Sequence, residues 1–224
     1  MPVGSVLCVR AGAGWTRFCE GVWAMQKELP YLDIEGAYGG FQMWFRDDRW
    51  MKIGGCAAVT ACDASLYLQK YRSVPNLYPY DIGHLTKADY VKFGMQMKRY
   101  IGPRWMGVDK LSLFINGFGG YLYDRGVSAV TMVPWEGEHT EADTAAVIRH
   151  QIDAGLPLPC LNLRHRHPIM ADIVWHWFMI VGYLQKDGLF LVKIATYGTS
   201  RWINFHIFWN TGFSRKGGLI LLRD

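Results

Sequence analysis

The apolar residues of this chain change period part-way along it, and that change limits the available folds more than any other feature. Before residue 155 they recur at helical spacing. The stretch CAAVTACDASLYL, opening the segment 56–70, sets Ala57, Ala58, Ala61, Ala64 and Ser65 among Val59, Leu66 and Leu68, a helix small enough on several sides for close approach by its neighbours. It reads as a central helix. Further helices are predicted over 86–101, with Thr86 as N-cap, and over 108–126. In HTEADTAAVIRHQIDAG, Thr140 stands three residues before Asp143 in a capping-like arrangement, Ala146, Ile148 and Ile152 follow, and Gly155 ends the helix. Beyond it LPLPCLNL, HWFMIVGYL, LFLVKI, WINFHIFW and GLILLRD are short apolar or alternating runs, split by turn residues such as Asp187-Gly188, and predict strands. Helices followed by an antiparallel meander describe an α+β fold, a helical half packed on a sheet. The expected layout is one domain over 1–224: an aromatic, glycine-punctuated region 1–50 with a short helix at 15–28, a helical half 51–155, and the sheet in 156–224.

Half of the 224 residues are apolar, enough for a sizeable core, and no repeat, low-complexity tract or long like-charge block divides the chain. The net charge of +5, from 24 basic against 19 acidic residues, is too mild and scattered for a nucleic-acid surface. No stretch of about 18 uncharged apolar residues suggests a membrane span, and the opening MPVGSVLCVRAGAGW lacks the pattern of an export signal. Five cysteines, Cys8, Cys19, Cys56, Cys62 and Cys160, are odd in number and lack metal-type spacing, which points to a reducing, cytoplasmic setting. No cofactor is expected: GAYGG at 36–40 lacks the lysine and hydroxyl of a phosphate loop. The aromatic share of 15% suits either a large core or a groove for an apolar or peptide-like ligand.

Two glycines, Gly54 and Gly55, deliver Cys56 to the first turn of the central helix. Unpaired N–H groups and the partial positive charge of a helix start stabilise a thiolate, and the same N–H groups can hold an oxyanion. A small buried residue beginning a packed helix would look the same. His176 opens an otherwise apolar strand, where it is either paired in the core or set at the rim of a cleft. A thiol beside an imidazole is the reactive pair of cysteine hydrolases. His165, His167, Asp172 and His176 also raise the question of a metal, but Arg164 and Arg166 interleave with them and no cysteine or acidic pair completes a set, so a solvent-exposed basic loop, or one steering an anionic substrate, is expected instead.

These segments resemble the papain-like cysteine peptidases. CAAVTA at 56–61 is similar to their nucleophile segment Cys-x-Ala-x-Ser-Ala, with Thr60 in the serine place. HWFMIVGY is similar to their His-x-x-x-x-Val-Gly-Tyr strand, and LVKIATYGTSRW to the strand that follows it. DAGLPLPCLNL and FQMWF resemble segments of the peptidases that trim bacteriocin leader peptides and of their relatives. The likeness covers roughly 40–70 and 145–200 and implies a papain-like fold with Cys56 as nucleophile and His176 as general base. The family's oxyanion glutamine lies six residues before the cysteine, where this chain has Trp50; Gln42 is the nearby candidate and has to loop back across a longer insertion. The family's third residue, an asparagine or aspartate, falls at Ile194 or Ala195, neither of which can orient an imidazole. A hairpin turning at 185–188 brings Thr196 near His176 as a substitute acceptor, with Asn204 as a second candidate. The resemblance implies a peptidase or amide hydrolase acting on a peptide or other acyl substrate. Acyl transfer through the same nucleophile, or a silent peptide-binding relative, are the alternatives.

Overall fold

The computed structural model describes residues 15–17 and 23–224, and it is a mixed α+β structure. Strand β1 (Trp15–Arg17) pairs antiparallel with β2 (Trp23–Glu28), so the helix expected over 15–28 is replaced by strands. The reason is non-local: residues Met25 to Glu28 pair with a strand from the far end of the chain, and a sheet edge in need of a partner overrides local helical spacing. A short hairpin follows, β3 (Asp33–Ile34) and β4 (Ala37–Tyr38), then a 3₁₀ turn at Gln42–Trp44.

The helical half starts with α1 (Arg49–Gly54), capped by the Asp48 side chain, which accepts the N–H of Met51. Helix α2 (Cys56–Arg72) follows at once, with every residue from Ala57 to Leu68 buried. α3 (Lys87–Met97) is capped by Thr86 as expected, and α4 (Leu111–Asp124) starts three residues later than the segment predicted from sequence. Strand β5 (Thr131–Glu136), not foreseen in the sequence, separates α4 from α5 (Glu141–Asp153). Thr140 caps α5, and Gly155 leaves it with φ +81°, the left-handed turn that favours glycine.

The sheet is organised on β7 (His176–Lys186). One edge of β7 pairs with β6 (Leu158–Asn162) over its first half and with β2 over its second, while β8 (Leu189–Thr196) runs along the other edge. β9 (Thr199–Asn204) lies outside β8, and β10 (Gly217–Arg223) links β6 to β5. The run WINFHIFW is strand only to Asn204; its remainder forms the short helix α6 (Phe205–Trp209), because the Asn204 side chain accepts the N–H groups of His206 and Ile207 and starts a helix there.

Side-chain alternation explains why β7 is apolar throughout. Trp177, Met179 and Val181 pack toward α2, α3 and α4, whereas Phe178 and Ile180 pack with Ile148 and Ile152 of α5 and Phe205 and Phe208 of α6. A bulge between Ile180 and Gly182 then shifts the register. The polar start of β7 and the head of α2 meet where these layers end. Among the described residues no helix is long and apolar enough to cross a membrane.

Candidate active site

Cys56 is the first residue of α2, and Gly55 explains the glycines before it. A Cβ at position 55 would lie 2.4 Å from the carbonyl oxygen of Met51, so only glycine lets α1 run straight into α2. The Cys56 side chain stays partly open to solvent. Burial of its sulfur pushes the thiol up from its ordinary value, while the backbone N–H groups of Trp177, Ala57 and Cys56 itself pull the other way. Trp177 is the residue after His176, so the sulfur touches the opening of β7 directly. Cys62 and Cys160 are fully buried, whereas Cys8 and Cys19 lie outside the described residues.

His176 is 5% exposed and sits at the lip of the sheet. Its Nε2 lies 2.7 Å from Thr196 Oγ1, the last residue of β8. Tyr197 stacks on the ring, with centroids 4.5 Å apart at 29°. Tyr197 and Gly198, with φ of +54° and +73°, form the two-residue turn between β8 and β9 that delivers both side chains. Burial lowers the imidazole to about 4; Asp172 raises it and Arg201 lowers it further. Thr196 is thus the side chain that meets this ring nitrogen. The Asn204 side chain instead caps α6.

Gln42 does loop back. The 3₁₀ turn that carries it folds over α1, where Gln42 Nε2 donates to the Lys52 carbonyl at 2.9 Å. Trp50, at the position the resemblance would give to glutamine, is 55% exposed on α1. Gln42, Cys56 and His176 all line one cavity of about 410 Å³, walled by Ile53, Trp105, Met106 and Trp175. Behind them a recess of about 10 Å³, room for roughly one water, is shared by the same three residues with Thr196 and Asp63.

The basic loop is solvent-exposed at Arg164, Arg166 and His167, as expected. His165 Nε2 lies 2.9 Å from the Ile207 carbonyl oxygen, His167 caps the turn at Pro168–Ile173, and Asp172 pairs with Arg201 at 2.8 Å. Arg164 and Arg166 lie over the Phe213 ring. Among the described residues no group of three His, Cys, Asp or Glu side chains could hold a metal ion. Asp63, Tyr197 and the cavity wall at Trp105 and Met106 join the site without having been foreseen in the sequence. Asp63 was detectable as a carboxylate seven residues after Cys56, on the same helical face. Compared with known proteins, the chain matches no family model and no curated protein.

Proposed function

We propose that this chain adopts a papain-like fold and is a thiol hydrolase cleaving an amide or related acyl bond. The observation that carries this reading is the shared cavity: Cys56 and His176, far apart in the chain, line it together, and the far nitrogen of the imidazole is held by Thr196 at 2.7 Å. With the Nε2 proton donated to Thr196 Oγ1, the Nδ1 lone pair is free to take the Cys56 proton. The thiolate attacks the substrate carbonyl carbon, and the oxyanion is received by the Cys56 N–H and the Gln42 side chain. The imidazolium then protonates the departing amine as its bond to carbon breaks, leaving a thioester on Cys56. His176 next takes a proton from water, whose oxygen attacks the thioester; the acid is released and the proton returns to sulfur. Both partners start neutral here, because burial raises the thiol and lowers the imidazole, so the reactive ion pair forms only as substrate is attacked.

The test is chemical labelling. Iodoacetamide at neutral pH should modify Cys56 ahead of the other cysteines, and His176→Ala should slow that modification by about tenfold or more. Equal labelling of all cysteines, or no effect of His176→Ala, counts against the reading. An acylated Cys56 whose breakdown quickens when amines are added would move the reaction from hydrolysis to transfer.

A further inference from the structure

Asp63 lies two turns along α2 from Cys56 and is only 5% exposed, yet the chemistry above gives it no task. Three donors converge on its carboxylate. Tyr90 Oη donates at 2.7 Å, Tyr31 Oη at 3.0 Å, and the Gly40 N–H reaches both oxygens at 3.1 Å. The glycines of GAYGG are what allow this approach. A Cβ at Gly40 would lie 1.9 Å from Tyr90 Oη, and one at Gly39, where φ is +79°, would lie 2.7 Å from Asp63 Oδ2. The loop continues outward: the Gly40 carbonyl accepts the Gly198 N–H at 3.1 Å, and the Gly198 carbonyl accepts the Tyr38 N–H at 2.8 Å. Gly198 belongs to the turn that holds Thr196 and Tyr197 against His176, and Gln42 lies just past Gly40.

We propose that Asp63 is a positioning residue: as a carboxylate it latches the 39–42 loop, and through it the 196–198 turn, onto α2, so that Gln42 and His176 keep their places around the Cys56 sulfur. The role rests on the thiol-hydrolase reading. A carboxylate can accept from all three donors, whereas a carboxylic acid gives one oxygen a proton of its own and loosens the latch. Burial lifts Asp63 to about 6, against the hydrogen bonds from Tyr90, Gly40 and Tyr31. The other titrating groups around it lie elsewhere on the scale: Tyr31, Tyr90, Cys62 and Cys56 are raised, Tyr197 is pushed up to about 12, and His176 is lowered to about 4. A change near pH 6 at this site therefore reports Asp63.

Two measurements test it on the full chain. The first is acetylation of Cys56 by p-nitrophenyl acetate across pH, corrected with Cys56→Ala. Wild type should show an acid limb near pH 6, and Asp63→Asn should lose that limb and react about tenfold or more slowly at neutral pH. The second is deuterium exchange of the Gly40 and Gly198 amides, which should quicken in Asp63→Asn and, in wild type, when the carboxyl is protonated. Unchanged exchange overturns the latch whatever the acetylation does, and faster exchange with unchanged acetylation overturns its role in the reaction. Should Asp63→Asn not fold, the wild-type limb and exchange still decide. No acetylation of Cys56 in wild type sinks the hydrolase reading and this role with it, while exchange still shows whether the latch exists.

Discussion

His176 is kept neutral by the same burial that places it. An imidazole lowered to about 4, against about 6.5 in an unfolded chain, makes the native state bind fewer protons than the unfolded state between those values. Stability supported by the neutral ring is therefore complete above pH 6.5 and is lost as pH falls toward 4. The loss amounts to about 3 kcal/mol. Removing the ring in His176→Phe should abolish this component, so that urea unfolding measured from pH 6.5 down to 4 falls less steeply than in wild type. Equal slopes would mean that the ring is not buried uncharged. Thr196 fits this picture: its hydroxyl accepts a ring N–H but brings no charge to stabilise an imidazolium, as a carboxylate would. Cys56, His176 and Thr196 were legible in the sequence because a glycine-led helix start, a histidine opening an apolar run and a countable hairpin are local signals. The spacing of Asp63 puts it on the helical face of Cys56, but its burial and its three donors come from the 31–40 loop and α3, which no local pattern reports.

Among the elements, α3 supports the site through an absent side chain. Gly94 lies in its interior, where alanine would ordinarily gain roughly 1 kcal/mol of helix propensity. Here a Cβ would lie 2.2 Å from Cζ of Phe45, a fully buried ring at the end of the turn that carries Gln42. Gly94→Ala should therefore destabilise the chain by about 1–3 kcal/mol despite the better helix former. Phe45→Leu, added to it, should recover part of that loss. Thermal or urea unfolding of both singles and the double reads the coupling; additive effects would mean that the ring yields freely. α3 and α5 were legible because their ends carry punctuation, Thr86, Thr140 and Gly155, that acts within a few residues, whereas α1 was not foreseen. β2 was not, since its pairing with β7 depends on residues at the other end of the chain. α6 was missed inside an apolar run, although Asn204 before FHIFW is a readable cap.

At the scale of the whole molecule, the cleft is made by two faces that the sequence keeps far apart: the loop between α3 and α4, and the opening of β7. That loop is pinned at its far end. Trp177 Nε1 donates to the Val108 carbonyl at 2.6 Å, and Arg215 Nη2 donates to the Asp109 carbonyl and carboxylate at 2.6 and 2.8 Å. Ahead of these anchors Trp105 is 89% exposed and Met106 64%, two large apolar side chains that line the cavity together with Trp175. Such a wall gains burial only when something occupies the cleft. Its contribution belongs to binding that is equal in ground and transition states. With a peptide substrate in hand, Trp105→Ala should raise KM by roughly five- to thirtyfold, the worth of about 1–2 kcal/mol of apolar burial, and leave kcat near the wild-type value. Labelling of Cys56 by iodoacetamide, too small to reach the wall, should not change. A fall in kcat with KM unchanged would instead place Trp105 in the chemistry, and slower labelling would show that the loop holds the head of α2 rather than the substrate.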